Sequence, residues 1–580
     1  MLFKTFDIET TGFNPREDTI FSYCIGNWDG SVGVYRVDRD RKTNAINQEK
    51  QKAFFADTNI AKICHNYHFE LSFLKSHNIP IPEETVWHDT MIMSQLLYNL
   101  APSHSLDALC WNLGGYSRAL DIKVKILGNK LGGYQHIPEY IMKPYQVSDG
   151  ERTMLLFQLW YEEIKADKKL YEDYLNEIAL IKVTQQMEDH GIKVSVKEAN
   201  KLIEWLEIEV ETVRDKTYEL LGEFVNLSSE PQVRKILFGT MNLPVLTFTT
   251  KGKQASVDKN VLMDFASKNN NPIFNLILKH RSYTKGIAMI KKYLNSMDDN
   301  CIIHPKINTN QARTGRESVT NPPLQTVSKE EVLLVPFAVP ARRCFTSFPG
   351  HVLFFGDYAG IEMRLIVDAA HDEIMLEAIR KNEDVHMIAS RILYGDLFTG
   401  EKIQRDAAKN AHFAIPYGAG LASVAHALGL SLEVTNPGLK AYQSKHPNIA
   451  YFSSIISKQV QEFGYIITPF GRKLHLPANK TYAGANYLIQ GTAAGILKRA
   501  QVRVAAEYLK NVWNNDIRII LPIHDEIILN YPRKLLRYAP EILSEIGNIM
   551  TTMPEIKVLL SVEWKMSTTT WDKARNYKIC

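Results

Sequence analysis

The sequence predicts a multidomain α/β protein, and three observations predict it. Its 580 residues are about four times the ~150 typical of one domain. Strand-like runs open the chain, give way to long helical patterns, and return at Leu353 to Phe355, Arg518 to Pro522 and Ile527 to Asn530. Acidic residues punctuate these strands in both parts, a placement that suits hard cations.

The elements follow in order. Leu2 to Ile8 reads as a strand, and Thr19 to Trp28 and Ser31 to Val37 read as two more, joined by an Asp29-Gly30 hairpin turn. Leu96 to Leu100 and Ser105 to Leu113 read as helical. A helix is expected to start at Pro144, with proline in its first turn and Leu155, Leu156, Leu159 and Trp160 as its buried stripe. This first α/β domain is expected to end near residue 175. Beyond it, Glu198 to Leu221 shows an apolar face of Leu202, Trp205, Leu206 and Val210, and Lys279 to Lys292 is a basic helical stretch.

Composition narrows the function classes. With 45% hydrophobic and 23% charged residues, the chain is neither disordered, collagenous nor coiled-coil. The net charge of +4 conceals a division: residues 1–180 carry 19 Lys/Arg against 24 Asp/Glu, and residues 181–580 carry 49 against 40. A basic part is thus joined to an acidic one. Six cysteines without a CxxC pair indicate neither a zinc ribbon nor a disulfide framework. No apolar stretch approaches the ~18 residues of a membrane span, and Asp7 and Glu9 interrupt any signal peptide, so a cytoplasmic protein without a membrane contact is expected.

In Phe6-Asp7-Ile8-Glu9-Thr10-Thr11-Gly12, carboxylates at i and i+2 of a strand share one face, where they can share a hard cation. His65-Asn66-Tyr67-His68-Phe69-Glu70, His88-Asp89, and Tyr145 with Asp149 one helical turn on extend this set to four carboxylates and a phenol. In the basic part, Gly356-Asp357-Tyr358-Ala359-Gly360-Ile361-Glu362 and Ile523-His524-Asp525-Glu526 each adjoin apolar runs, a pattern suited to two metal ligands on neighbouring strands. Between them, Arg405, Lys409, Phe413 and Tyr417 recur every four residues and make one gently spiralling stripe. Two cations followed by two aromatic rings suit a nucleoside triphosphate.

The first set resembles the proofreading 3′→5′ exonucleases of the DEDD group, with DIETTG and YxxxD matching as written. The second resembles motifs A, B and C of family A DNA polymerases, in an ordered match that spans nearly the whole chain. Further matching pieces are Phe224 to Ser229, Lys251-Gly252, Thr314-Gly315-Arg316, Leu324-Gln325, Arg342 to Phe345, Asp384-Val385-His386, Thr468 to Arg472 and Gln490 to Ala494.

The resemblance implies a ribonuclease H-like 3′→5′ exonuclease domain at 1–175, then a right-hand fold: thumb 176–300, palm 301–375, fingers 376–475 and palm again 476–580. It implies that Asp7, Glu9, Glu70 and Asp149 hold two Mg²⁺ or Mn²⁺ ions, with Tyr145 placing the attacking water. Asp357 and Asp525 would hold a second pair of ions for in-line attack of the primer 3′ hydroxyl. Arg405, Lys409 and His386 would neutralise the triphosphate, Phe413 would stack by the sugar, and Glu362 would close the pocket against a 2′ hydroxyl. Tyr417, Arg316, Gln325, Asn486, Gln490, His524 and Glu526 would line the primer-template junction.

The expected activity is DNA-templated addition of dNTPs with proofreading, by a monomer that meets primer-template DNA and, as further partners, a processivity factor, a helicase or a single-stranded DNA-binding protein. No 5′ nuclease precedes the exonuclease motif, a Klenow-like layout that suggests a bacteriophage replicase. Glu70 stands where the group has Asp, Gly360 where a Gln is usual and Tyr482 where an Arg is common; Pro416 should end or kink the motif B helix near Ile415. The alternatives are a polymerase with weakened exonuclease acting in repair, a single-subunit RNA polymerase, and a DNA-binding scaffold without chemistry.

Overall fold

The computed structural model describes all residues except 39, 115, 250, 251, 328–336, 514, 515 and 580. Lys251 and Cys580 therefore lie outside the described residues.

The first domain is built on a five-stranded sheet in the order β3-β2-β1-β4-β5, with β1 Leu2–Thr10, β2 Ile20–Gly26, β3 Val32–Arg36, β4 Ile60–Cys64 and β5 Trp87–Asp89. The hairpin β2-β3 is antiparallel and turns at Asn27–Ser31, where Gly30 takes φ +85°. β4 and β5 run parallel to β1, reached through crossover helices. Helices cover the sheet and bury Phe6, Tyr23, Phe55, Tyr67, Trp87 and Phe157 in one core.

The structure corrects several expectations. The helix containing Tyr145 spans Glu139–Ala166, so Pro144 lies inside it rather than in its first turn. One lost backbone hydrogen bond is tolerated because packing along a 28-residue helix outweighs it. Its buried stripe is Met154, Leu156, Phe157, Trp160 and Ile164, whereas Leu159 is exposed, because the helix packs on two sides and the face is wider than a leucine pattern shows. The expected helix at Leu96 to Leu100 is the end of Thr90–Leu97. Asn99 lies beyond that helix and bonds to the Arg313 and His475 carbonyls of the second part.

The helix Lys168–His190 crosses from the first core into the second: Leu170, Tyr174, Ile178 and Ile181 pack with the first domain's sheet, and Leu180, Val183 and Met187 with the main core. Residue 175 falls inside it. Two long helices, Val196–Leu221 and Ile273–Asn295, then pack along each other. Leu202, Leu206, Val210 and Val213 form the buried face of the first; Trp205, expected in it, is half-exposed and rests against the Tyr283 ring.

The second large core centres on a five-stranded antiparallel sheet ordered Arg518–Ile523, Glu526–Pro532, His351–Tyr358, Val562–Ser567, Arg575–Tyr577. Near-continuous apolar runs in its middle strands follow from burial on both faces. The helices Val385–Tyr394, Lys402–Ala414, Leu421–Leu428 and Leu432–Lys445 form a separate packed layer, and Gly484–Val502 runs against the sheet's helices and Lys168–His190. Among the described residues no helix is long and apolar enough to cross a membrane.

Candidate active sites

In the first domain, Asp7 and Glu9 project from one face of β1, and Asp149 reaches them from the helix Glu139–Ala166. One carboxylate oxygen from each lies within 4.8 Å of the others. Burial, followed by mutual repulsion, pushes Asp7 and Glu9 well above the ordinary carboxylate range. Asp149 rises only to about 6, since Arg152 beside it offsets burial. Tyr145, one turn earlier, is half-buried, and its phenol helps lower Asp149.

Glu70 is buried on the helix Tyr67–Ser76 and is pushed up by burial and then by Asp7. Its Oε2 is buried without a hydrogen-bond partner, and it stands outside the 4.8 Å group. Asp89, in the His88-Asp89 pair, serves the backbone instead. Its carboxylate accepts from the N–H groups of Asn66, Tyr67, Met91 and Ile92. It thereby ties the start of the Glu70 helix to the start of the next. His65, half-buried and lowered by desolvation to about 4, bonds Thr90 Oγ1 and the His104 carbonyl and is also structural.

An all-oxygen donor set, an orphaned buried carboxylate oxygen and raised carboxyl pKa values together fit a divalent hard cation such as Mg²⁺ or Mn²⁺.

In the second part, Asp357 closes the strand His351–Tyr358 and pairs in register with Glu526, while Asp525 occupies the turn joining the two neighbouring strands. The Tyr358 N–H donates to the Asp525 carbonyl at 3.2 Å, so both acids reach the same end of the sheet. His524 takes φ +55° in this tight turn. Burial pushes Asp525 up to about 6, Arg316 lowers it, and Glu362 and Asp357 raise it. Arg342, a half-buried cation over the Trp571 ring, lies near Glu526 and Asp357.

Gly360 has φ +59° just before the helix Ile361–Ala370, a conformation glycine adopts without strain. That helix presents Glu362 to Arg316 Nη2 at 3.3 Å. The motif B helix ends at Ala414 and continues as a single tighter turn, Ile415–Tyr417, as Pro416 requires. Tyr417 is half-buried, and Glu362 and Arg316 are the charged groups that act on its phenol. Arg405 Nε bonds Asp384 Oδ2 at 2.5 Å, and Asp384 caps the His386 helix. Lys409 is exposed on the same stripe, and Phe413 packs against the His386 ring at 5.2 Å. Gln325 Nε2 donates to the Glu317 carbonyl, and Gln490 to Asn486 on an exposed turn of Gly484–Val502. Tyr482 is largely exposed just before that helix.

Two residues escaped the sequence reading. His412 is fully buried and meets His386, Nδ1 to Nδ1, at 3.1 Å, and Arg152 bonds Asp149. Arg342, one of the matching pieces, lies near Asp357 and Glu526. For Arg152 the spacing of three from Asp149 was a usable signal; the His412 contact is long-range.

Residues 196–573 match DNA polymerase family A, and residues 5–164 match a 3′-5′ exonuclease family. The chain belongs to DNA polymerase family A. It is 26% identical to DNA polymerase I of Pseudomonas aeruginosa over 98% of this chain and 63% of that protein. It is also 29% identical to the DNA polymerase of Mycobacterium phage D29 over 49% of this chain and 45% of that one. The chain thus spans less than two thirds of the length of these family members. The fold matches the POL domain of Pol1 from M. smegmatis, solved with DNA primer-template and dNTP, at a TM-score of 0.82 and 20% identity, covering 98% of this chain and 96% of that one.

Proposed function

We propose that the chain is a DNA-templated DNA polymerase that adds dNTPs to a primer 3′ end and removes mispaired ends by 3′→5′ excision. The observation that carries this reading is the presence of two separate carboxylate sites, Asp357 with Asp525 and Asp7 with Glu9 and Asp149, on two different sheets of a family A chain. The solved neighbour's primer-template and dNTP supply the matching ligands. Residues 1–175 are read as exonuclease, 176–300 as thumb, 301–375 and 476–580 as palm, and 376–475 as fingers. The protein is read as a cytoplasmic monomer.

Asp357 and Asp525 would hold divalent cations at the primer end, and Asp7, Glu9, Glu70 and Asp149 would hold them at the excised end. Such ions supply charge stabilisation and a deprotonated oxygen nucleophile. Arg405 and Lys409 bind the triphosphate and offset the charge that moves onto pyrophosphate. Phe413, set against His386, offers a flat face beside the sugar, and Glu362, held by Arg316, fills the space a 2′ hydroxyl would need. Arg316, Gln325, Asn486, Gln490, His524 and Glu526 face the primer-template junction, where minor-groove acceptors are shared by all correct pairs. Tyr417 adjoins the same junction, and in the excision site Tyr145 orients the attacking water beside Asp149.

Primer extension with Mg²⁺ and either dNTPs or rNTPs tests the assignment. Template-directed extension with dNTPs and at least tenfold poorer extension with rNTPs is expected, with Glu362→Ala relaxing the difference. Equal use of both by the unaltered chain would contradict it.

A further inference from the structure

Arg152 does more than fill space beside the carboxylate cluster. Its side chain is 3% exposed, and it lies three residues after Asp149 on the helix that also carries Tyr145. All three nitrogens of the guanidinium donate, through four of its five N–H groups. Nε donates to the Ser148 carbonyl at 3.3 Å, Nη1 to Asp121 Oδ2 at 3.2 Å, and Nη2 to Asp121 Oδ1 at 2.9 Å and also to Asp149 Oδ1.

Asp121 comes from a different helix, Ala119–Leu131, so its two-pronged grip fixes the guanidinium independently of the Asp149 helix. A structural ion pair needs one carboxylate, whereas this fork spans two. The second of these is the one whose oxygen reaches Asp7 and Glu9. An arginine cannot release its proton, so the positive charge is permanent. It lowers Asp149 and, less strongly, Asp7, two carboxylates that burial and their acidic neighbours push up.

We propose that Arg152, anchored by Asp121, is the positioning residue of this cluster: it holds the Asp149 carboxylate toward Asp7 and Glu9 and thereby sets the affinity of the site for a divalent cation. The inference rests on reading the cluster as the exonuclease cation site. Groups that orient metal ligands in this way typically contribute about 10–100-fold to metal affinity.

The test is equilibrium Mn²⁺ binding, read as loss of the free-ion paramagnetic resonance signal, on the full chain carrying Asp357→Asn and Asp525→Asn to remove the polymerase acids. Mismatch excision is measured in parallel on the chain with those acids intact. In that background Arg152→Met is expected to weaken Mn²⁺ binding by about 10–100-fold. Arg152→Lys should restore part of it, and Asp121→Asn should weaken it in the same direction by less. Thermal melting reports whether each variant folds; if Arg152→Met does not, Arg152→Lys and Asp121→Asn decide. Unchanged or tighter Mn²⁺ binding in the folded variants, with binding still lost in Asp7→Asn, overturns the role of Arg152 while leaving the exonuclease reading intact. Mn²⁺ binding indifferent to Asp7→Asn, with no excision by the unaltered chain, overturns both.

Discussion

Arg472 and Asp173 join the two halves of the molecule: Arg472 Nε donates to Asp173 Oδ2 at 2.9 Å, and both side chains are almost wholly buried. Around this pair the ions interlock. Arg472 also bonds Glu177, Lys498 Nζ reaches Glu177 Oε1 at 2.7 Å, Arg499 reaches Asp173 Oδ1 at 2.8 Å, and Asn310 bridges Glu177, Arg472 and Lys498. Asp173 and Glu177 lie on the helix shared by both cores, and Arg472, Lys498 and Arg499 belong to the polymerase part, so the network fixes how that helix sits.

Removing one member of a buried ionic network leaves its partners charged and unpaired. Glu177→Gln is expected to destabilise the chain by about 3–5 kcal/mol, since Lys498, 1% exposed, loses its carboxylate. Urea unfolding followed by tryptophan fluorescence measures this, and a change below about 1 kcal/mol would mean the network is dispensable.

Gly315 lies beside this network with φ +77°, and a Cβ there would stand 2.0 Å from Arg472 Nη1. Gly315→Ala must therefore adopt a disfavoured backbone and push Arg472 aside. A loss of about 1–3 kcal/mol is expected, together with weaker primer-template binding because Arg316 is the next residue. Fluorescence anisotropy of labelled primer-template follows the second effect.

Glu317 gives a pH signature. It is buried, accepts from Gln501 Nε2 at 2.5 Å, and is pushed up to about 7, by burial first. The unfolded chain releases this proton near the ordinary value of 4.5, so stability falls as pH rises from there to about 7. Glu317→Gln removes the group; its stability relative to the unaltered chain should rise by up to about 3 kcal/mol across that window and stay level above it. Urea midpoints at pH 5, 6, 7 and 8 record it, and a difference independent of pH would contradict the assignment.

Glu70 separates charge from packing. Glu70→Gln preserves the buried volume and removes the anion that faces Asp7, so mismatch excision should fall at least tenfold while primer extension is unchanged. Gel-resolved digestion of a mismatched 3′ end gives the answer.

Much of this was readable in the chain. Asp7 with Glu9 and Tyr145 with Asp149 are spaced by local geometry, a strand's alternation and a helix's turn, so the sequence carries their shared faces. Asp357 and Asp525 are 168 residues apart, and only the ordered apolar runs beside them pointed to neighbouring strands; Asp357 lies on one, and Asp525 in the turn that leads into the next. What local pattern did not carry was packing. Trp205 and Leu159 are apolar yet half-exposed, because burial depends on which neighbour arrives. Pro144 sits inside a helix whose tertiary contacts overrule its propensity. Arg152's hold on Asp149, the meeting of His386 with His412, and the joining of Arg472 to Asp173 each depend on side chains brought together by the fold. Of these only the first has a short spacing in sequence.

That one chain carries two separate carboxylate sites with two reactions is tested most directly by following a single labelled primer-template bearing a 3′ mismatch, with Mg²⁺ and dNTPs. The unaltered chain, Asp525→Asn and Asp7→Asn are compared. Asp525→Asn should abolish extension and retain excision, and Asp7→Asn should abolish excision and retain extension. Loss of both reactions in either folded variant, or undiminished extension by Asp525→Asn, would contradict it.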